Sequence, residues 1–257
     1  EESPSTNTEL VTRLRNESVE QLPHFYVLAT DKQTHGKGRL DRSWSAPAGT
    51  ALAVSVVLRP QTPSGRSLPP SSWGWFGLLS GLAMSRAVTL LLPEELSASL
   101  KWPNDVLVGS KKIAGVLSEM VETDAGPAVV VGVGVNLFLT EDELPVPTAT
   151  SLALEGVTDV SIDDVLSAYL HEFSRLTNVF MAAAGNARSS GLLEQVTGAC
   201  STIGARIRVE LPSGEHPVGT AQGISDDGSL IVQLGECAEP LLVSAGDVTH
   251  IRRVDTE

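Results

Sequence analysis

Apolar runs, separated by polar segments rich in proline and glycine, divide the chain into predicted strands and helices. Residues 51–58 (ALAVSVVL) and 127–136 (PAVVVGVGVN) are mostly β-branched and apolar, which is typical of strands buried within a sheet. Two further apolar runs flank the dipeptide at 109–110, and this pattern predicts a hairpin. The apolar run at 73–92 contains the charge of Arg86, so it predicts a buried helix rather than a membrane span.

Capping patterns indicate the other predicted helices. Thr6 and Glu9 have the spacing of a capping box, and an apolar stripe follows them. Ser161 begins a longer amphipathic helix that reaches about residue 184, and another helix is predicted over 187–200. The polar segment 31–50 between two predicted strands is expected to be a long loop.

The pattern changes after residue 200. Four or five short apolar runs alternate with turns in the last 57 residues, which predicts a small β-barrel or sandwich. The predicted fold class is therefore α+β, with one domain over 1–200 and a small all-β domain over 201–257.

The charge of the chain is acidic but unevenly distributed. Its 257 residues include 18 Lys and Arg against 31 Asp and Glu, a net charge of −13, which disfavours nucleic acid and anionic membranes as partners. All five lysines lie within 32–112, where ten basic residues stand against four acidic ones. This concentration indicates a small anionic ligand bound in one place, although a chance cluster of solvated lysines gives the same pattern.

The cysteines and the first residues bear on the compartment. Cys200 and Cys237 are too few for a disulfide framework and do not have the spacing of a zinc site. The first ten residues have neither the basic start nor the apolar stretch of a secretory signal. We therefore expect a cytoplasmic protein.

Two segments combine residue types that bind anions with residue types that are unusual near strands. The segment 36–44 (GKGRLDRSW) interleaves two glycines with three basic side chains suited to phosphate or carboxylate, and it ends on Trp44, whose flat face can stack on a base. The segment 101–105 (KWPND) places Pro, Asn and Asp between apolar strands. The simpler alternatives are an exposed basic loop for the first and an ordinary turn for the second.

Two more candidate segments lie on predicted strands. In 111–115 (KKIAG), alternation places Lys112 on the face of Ala114, so we expect it to be half-buried and to need an anionic partner. The alternative is that both lysines lie at the exposed end of the hairpin. In 132–136 (GVGVN), two glycines indicate close approach of a ligand to the backbone, and Asn136 carries groups that can pair with a purine edge.

In this order, the segments resemble those of biotin protein ligase, the biotin–[acetyl-CoA-carboxylase] ligase family. The chain reads Ser5-Thr6-Asn7, GKGRLDRSW, KWPND, KIAG and GVGVN where the family has STN, GRGRxxRxW, KWPND, K-[LI]-A-G and GxGxN. The resemblance covers nearly the whole chain. It implies a mixed-sheet catalytic domain of the class II synthetase-like type over 1–200 and a small SH3-like β-barrel over 201–257.

The resemblance implies an ATP-dependent ligase. Biotin and ATP, with Mg²⁺ expected to accompany ATP, form biotinyl-5′-AMP and diphosphate, and the biotinyl group then passes to a lysine of a biotin carboxyl carrier protein domain. Because a carboxylate and a triphosphate repel each other, positive charge is required, which fits the basic window. We expect a monomer or weak homodimer that binds neither nucleic acid nor membrane. Repressor members of the family carry an N-terminal helix-turn-helix, and we expect this chain to represent the form without one.

Residue roles follow from the matched motifs. The expected catalytic residues are Lys112 at the biotin carboxylate and α-phosphate, Arg39, and Asp105 as base for the acceptor amine, which is mostly protonated at neutral pH. The expected biotin-binding residues are Ser5, Thr6, Asn7, Gln33, Gly36, Lys37, Gly38, Arg39, Lys112, Gly115 and Gly132. The expected ATP- and adenylate-binding residues are Arg39, Arg42, Trp44, Asn104, Lys112, Gly134 and Asn136. We assign no protein ligand to the metal.

One departure and two alternatives accompany this interpretation. Lys37 stands where the family usually has arginine, so the charge is kept and the bidentate fork is lost. Lipoate–protein ligase shares the fold and the adenylate chemistry, but it lacks the paired GRGRxxRxW and KWPND motifs. A non-catalytic module that sequesters biotin or a carrier domain is disfavoured by the presence of Lys112, Arg39 and Asp105.

Overall fold

The structure, a computed structural model, describes residues 2–39, 42–211, 213–235, 238–244 and 247–250. Cys237 and the last part of the predicted β-domain, 251–257, lie outside the described residues. The helices are α1 (Thr6–Leu14), α2 (Trp75–Leu91), α3 (Ile162–Ala182) and α4 (Leu192–Ala199). The strands are β1 (Tyr26–Thr30), β2 (Gly36–Lys37), β3 (Ser43–Trp44), β4 (Ala51–Leu58), β5 (Ala98–Lys101), β6 (Asp105–Val108), β7 (Lys111–Val121), β8 (Ala128–Asn136), β9 (Arg206–Glu210), β10 (Val218–Ile224), β11 (Leu230–Gln233), β12 (Leu241–Val243) and β13 (Asp247–His250).

A six-stranded sheet in the order β1-β4-β8-β7-β6-β5 forms the centre of the larger part. Neighbouring strands in this sheet pair antiparallel, and parallel pairing enters through isolated bridges at Ser3–Gln33, Leu100–Cys200 and Lys112–Ala149. All of β4 is buried, and so is nearly all of β8 beside it, which explains their continuous apolar sequences. The predicted α+β fold class is confirmed.

The two faces of this sheet are covered differently. On one face, α2 and α3 pack over alternate positions of the central strands, such as Val54 of β4 and Val133 of β8, in the main core cluster. On the other face, α1 packs through Leu10 and Leu14 against a smaller cluster that includes Val57. This second packing covers only part of the face, which leaves the rest open for a cavity.

The apolar run predicted to form a buried helix does so. Within the described residues, the helical stretch Pro70–Leu91 is long and apolar enough to span a membrane, and 67% of its apolar window is buried inside the protein. Its one charged side chain, Arg86, reaches out to Glu172 of α3. This burial is the behaviour of a core helix in a soluble protein.

A second, five-stranded antiparallel sheet in the order β12-β11-β10-β9-β13 follows, as the short apolar runs predict. Two tryptophans of the larger part donate hydrogen bonds to the backbone next to this second sheet. Trp75 Nε1 donates to Asp226 O at 2.7 Å, and Trp102 Nε1 donates to Gly228 O at 3.2 Å. The domain boundary between residues 200 and 201 stays a prediction.

Two local predictions are corrected. Ser5, not Thr6, caps α1, and its hydroxyl accepts a hydrogen bond from Thr8 N at 3.4 Å. Thr6 is the first helical residue, and its hydroxyl accepts from Ser55 Oγ at 2.7 Å and donates to Gln33 Oε1 at 3.2 Å instead of capping the helix. The expected loop over 31–50 also contains the short β2–β3 hairpin, which pairs Gly36 with Trp44.

Candidate active site

One row of cross-strand partners forms the floor of a cavity on the α1 face of the sheet. From β4 to β5, the register joins Ala53, Gly134, Gly115, Asp105 and Lys101 in sequence. Residues directly opposite each other in antiparallel strands point to the same face, so all five lie side by side. All five line a cavity of about 280 Å³. The floor is therefore flat at its centre, where the residues are small, and charged toward β5.

Lys112 reaches this face because β7 contains a bulge. Leu107 pairs with Lys112, whereas the preceding residue of β6 pairs with Ala114, so Ile113 is an extra residue in β7. The extra residue reverses the alternation of faces, and Lys112 Nζ lies 2.6 Å from Asp105 Oδ1. The expected anionic partner is present, and the Lys112 side chain is 35% exposed. The predicted face, shared with Ala114, is wrong.

The backbone of Lys112 is held from outside the sheet. Lys112 N donates to Thr148 O at 2.7 Å, and Thr150 N donates to Lys112 O at 2.8 Å. Asn136 Nδ2 in turn donates to Thr150 O at 2.9 Å. Asn136 is buried and does not line the cavity. In this arrangement Asn136 supports the segment that holds Lys112, and its expected contact with the nucleotide stays a prediction.

The β2–β3 hairpin is tied to the KWPND segment across the cavity. Arg39 Nη1 donates to Asn104 Oδ1 at 3.2 Å. Asn104 is itself fixed to β7, because its Nδ2 donates to Val116 O at 2.8 Å and its backbone oxygen accepts from Val116 N at 2.8 Å. Two motifs that are 65 residues apart in sequence thus meet at one hydrogen bond.

Trp44 lies against the glycines of the floor. A Cβ placed on Gly134 would overlap the indole ring, and one on Gly115 would lie 3.5 Å from Trp44 Cζ3 and 3.1 Å from Lys112 Nζ. Lys112 Nζ is also 5.9 Å from the centre of the Trp44 ring, a distance suited to a cation–π contact. The indole and the lysine can approach the strands closely because these positions have no side chain.

The opposite end of the cavity is neutral and polar. Ser5, Thr6 and Asn7, at the start of α1, line it together with Gln33, whose Oε1 accepts from Thr6 N at 2.9 Å. The space above Gly132 is filled by the amide of Asn7, which a Cβ at that position would overlap. This end can hydrogen-bond a neutral polar group, whereas the other end carries charge.

The cavity brings together most of the residues that the sequence singles out. Lining residues that were predicted are Ser5, Thr6, Asn7, Gln33, Lys37, Gly38, Arg39, Arg42, Trp44, Asn104, Asp105, Lys112, Gly115, Gly132 and Gly134. Gly36 lines an adjoining groove instead. Lys101 and Glu210 also line the cavity and were not predicted. The sequence could have indicated Lys101, because Lys101 pairs with Asp105 when the KWPND segment connects two antiparallel strands. Nothing in the sequence indicates Glu210, which belongs to the second sheet.

The electrostatics of the cavity favour an anion. Its described lining contains five cationic side chains, Lys37, Arg39, Arg42, Lys101 and Lys112, against the carboxylates of Asp105 and Glu210. Nearby, burial and the charge of Lys101 lower the pKa of His250, whose Nε2 lies 3.1 Å from Thr202 Oγ1. Among the described residues, no group of three or more His, Cys, Asp or Glu side chains is arranged to hold a metal ion.

The fold and this cavity place the protein in a known class. Residues 2–136 match the biotin/lipoate A/B protein ligase family, and residues 202–250 match the biotin protein ligase C terminal domain. The chain belongs to the biotin/lipoate A/B protein ligase family.

Two relatives of the chain are biotin–[acetyl-CoA-carboxylase] ligases. The chain is 38% identical over 233 residues to the biotin–[acetyl-CoA-carboxylase] ligase of Mycobacterium tuberculosis, covering 88% of this chain and 79% of that protein. It is 32% identical to the enzyme of the same name from Paracoccus denitrificans, covering 74% of this chain and 88% of that one. The biotin protein ligase from Aquifex aeolicus, solved in complex with biotin and ATP, superposes with a TM-score of 0.75 at 25% identity and covers 98% of this chain and 97% of that one.

Proposed function

We propose that the chain is a biotin protein ligase that activates biotin with ATP and transfers it to a lysine of a carrier protein. The observation that carries the proposal is the two-ended cavity, in which a neutral hydrogen-bonding end faces a cationic end across one floor of small residues. Biotin has the same division, since its ureido ring is neutral and its carboxylate is charged. The similarity to the M. tuberculosis and P. denitrificans ligases supports the same conclusion.

In the first step, an oxygen of the biotin carboxylate attacks the α-phosphorus of ATP. A bond forms between that oxygen and phosphorus, the bond from phosphorus to the bridging oxygen breaks, and diphosphate leaves. Lys112 stabilises the charge that develops on the α-phosphate oxygens, and Arg39 and Arg42 hold the carboxylate and phosphates from the hairpin side. Asp105 keeps Lys112 in place through the 2.6 Å ion pair.

In the second step, the ε-amine of the acceptor lysine attacks the carbonyl carbon of biotinyl-5′-AMP. An amide forms and AMP leaves with the electron pair of the broken C–O bond. The amine must first lose a proton, because a lysine is mostly protonated at neutral pH. Asp105 lies in the cavity with a 23% exposed side chain and is the candidate to accept that proton.

Trp44 and Asn104 complete the adenylate end of the site. The indole of Trp44 is a flat surface on which an adenine can stack, a contact worth about 1–3 kcal/mol. Asn104 holds Arg39 over the cavity. The space above three glycines is occupied by side chains that line the cavity: Lys112 above Gly115, Asn7 above Gly132 and Trp44 above Gly134. These side chains can therefore lie close to the sheet, which leaves the rest of the cavity to the ligand.

The side chains present fit a magnesium ion that arrives with the nucleotide. Mg²⁺ is commonly held by substrate phosphates together with one or two carboxylates. In the described part of the cavity, Asp105 and Glu210 are the carboxylates available for such a contact. The ion would supply charge neutralisation of the phosphates.

The acceptor is a biotin carboxyl carrier protein domain of a biotin-dependent carboxylase, and the enzyme acts in the cytoplasm as a monomer or weak homodimer. The net charge of −13 supports partners other than nucleic acid or membrane.

The catalytic part is residues 1–200, and the second sheet, in 201–257, closes one side of the cavity through Glu210, Val248 and Thr249.

Mass spectrometry of a carrier domain tests the proposal. Incubation with the protein, biotin, ATP and Mg²⁺ is expected to add about 226 Da, the mass of one biotinyl group, to one lysine. Reactions without ATP or without the protein are the controls and should leave the carrier unchanged. Addition of a lipoyl group from lipoate, with no addition from biotin, would contradict the proposed substrate.

A further inference from the structure

The segment between α4 and β9 pairs with β5, the last strand of the six-stranded sheet, next to the KWPND segment. Cys200 forms an isolated parallel bridge with Leu100, and Ser201 N donates to Leu100 O at 2.8 Å. Further along, the acceptor is a side chain, because Trp102 N donates to Thr202 Oγ1 at 3.0 Å. The edge of the sheet that leads into KWPND is therefore closed by a threonine hydroxyl.

Both partners of this hydrogen bond are shielded from water. Thr202 is completely buried, and Trp102 is 3% exposed. A buried N–H group that loses its acceptor is costly, because no water can replace the lost partner. The backbone of Trp102 therefore depends on the oxygen of Thr202.

His250 of β13 fixes the direction of the Thr202 hydroxyl. Its Nε2 lies 3.1 Å from Thr202 Oγ1 and is the one further hydrogen-bond partner of that oxygen among the described residues. Because the buried hydroxyl needs an acceptor for its proton, Nε2 accepts it, and the neutral imidazole carries its hydrogen on Nδ1. Burial and the charge of Lys101 lower the pKa of His250, which favours this neutral form. A lone pair of the Thr202 oxygen is then left for Trp102.

The Trp102 amide lies between functional groups of the cavity. Lys101 precedes it and Asp105 follows it, and these two residues pair across β5 and β6. Asn104 ties the same turn to β7 through two hydrogen bonds. Thr202 is the corresponding anchor on the β5 side, so the turn is held at both of its ends.

We infer that Thr202, oriented by His250, is a positioning residue that holds the KWPND segment in place for adenylate formation. Neither residue lines the cavity, so both act through the backbone of Trp102. Because His250 belongs to β13, the second sheet takes part in the reaction through this contact. The inference rests on the proposed function, since the groups that it positions are those of the adenylation step.

Thr202→Val keeps the shape of the side chain and removes the oxygen that accepts from Trp102 N. The rate of biotin-dependent exchange of diphosphate into ATP is expected to fall by about 10-fold, because the cationic end of the cavity is displaced. The dissociation constant of biotin, measured by calorimetry without ATP, should change little, since the neutral end is built from α1 and Gln33. Thr202→Ser keeps the hydroxyl and should retain the wild-type rate.

Thr177→Val is the matched control. Thr177 is completely buried like Thr202, but its hydroxyl donates to Phe173 O at 2.8 Å within α3, and Thr177 does not line the cavity. This variant should keep both the exchange rate and the affinity for biotin. Urea denaturation of each variant establishes that it is folded under the assay conditions.

His250→Leu tests the route through which the second sheet acts. It removes the acceptor of the Thr202 proton and should lower the exchange rate by about 3-fold or more. In a Thr202→Val background the same substitution should have no further effect, because the hydroxyl that His250 orients is absent. Equal effects in the two backgrounds, or no effect in either, would overturn the inference.

A folded Thr202→Val protein with the wild-type exchange rate would overturn the inference while leaving the proposed function intact. Equal losses of exchange rate and biotin affinity would also overturn it, because they indicate a general loss of structure. If Thr202→Val does not fold, Thr202→Ala, which lacks the same oxygen, replaces it and is judged by the same outcomes. Wild-type protein that catalyses no biotin-dependent exchange contradicts the proposed function itself.

Discussion

Lys112 Nζ and Asp105 Oδ1 lie 2.6 Å apart although strict alternation along β7 would direct Lys112 away from Asp105. The extra residue Ile113 produces this contact, because it places Lys112 and Ala114 on opposite faces. Without the bulge, the ammonium group would point toward the main core, where an unpaired charge is costly. The position of the central cation of the cavity thus depends on one inserted residue.

Replacing Lys112 with alanine is expected to reduce biotin adenylate formation by about 10²–10³-fold, as for the loss of other preorganised charges at a reacting group. Biotin-dependent exchange of diphosphate into ATP measures this step. Lys111→Ala is the control, because Lys111 is the adjacent lysine, is exposed and does not line the cavity. Equal exchange rates in the two variants would show that Lys112 does not contact the reacting groups.

Asn136→Ala is expected to lower the rate of adenylate formation by about 10-fold, since the segment that holds the backbone of Lys112 loses its support at Thr150. The KM for ATP should change little, because Asn136 does not line the cavity. Steady-state kinetics with varied ATP separates the two effects. A raised KM with an unchanged kcat would show instead that Asn136 contacts the nucleotide.

The sequence predicts the strands and the long helices well because their patterns are local. The run at 51–58 is continuous and β-branched, and β4 occupies those same residues, Ala51–Leu58. The N-terminal cap was misplaced by one residue, since Ser5 and Thr6 are chemically equivalent as caps and a tertiary contact decides between them.

The composition of the site was more predictable than its geometry. Motifs identify Lys112, Asp105 and Trp44, which the structure brings into one cavity. The bulge at Ile113 could not be predicted, because it arises from pairing between strands and leaves no local pattern. The sequence also could not show which side chain each glycine accommodates. Gly134 makes room for the side chain of Trp44, which is distant in sequence.

Gly134→Ala is expected to displace Trp44 from the floor, because the new methyl group would overlap the indole. Adenylate binding should weaken by about 10-fold as stacking on the indole is lost. Titration with a non-hydrolysable adenylate analogue measures the affinity, and tryptophan fluorescence reports the displacement of the ring.

Gly198→Ala is the matched control for this substitution. Gly198 lies in α4, and a Cβ there has no atom within 4 Å, so alanine should be accommodated and should favour the helix. Wild-type affinity and fluorescence in Gly134→Ala would mean that Trp44 does not need the space above Gly134.

Glu172 joins three helices, and its substitution should destabilise the fold in a pH-dependent way. Its carboxylate accepts from Arg175 at 2.7 Å and from Arg86 of α2 at 2.5 Å, while Arg86 also donates to Gln195 of α4. The hydrogen bonds of Arg175, with those of Arg86, lower the pKa of Glu172 to about 2 from its ordinary value of 4.5.

Because the folded pKa lies below the unfolded one, this stabilisation is complete above about pH 4.5 and is lost as the pH falls toward 2. Glu172→Gln should lower the free energy of unfolding by about 1 kcal/mol at pH 7, less than the full shift implies, since solvent screens the partly exposed arginines. Urea denaturation at pH 7 and pH 3 measures the difference in unfolding free energy from wild type, which should shrink at pH 3.

Glu194→Gln, at an exposed position of α4, is the control. A difference between Glu172→Gln and wild type that stays constant from pH 7 to pH 3 would mean that the ion pairs of Glu172 do not stabilise the packing of α2 against α3.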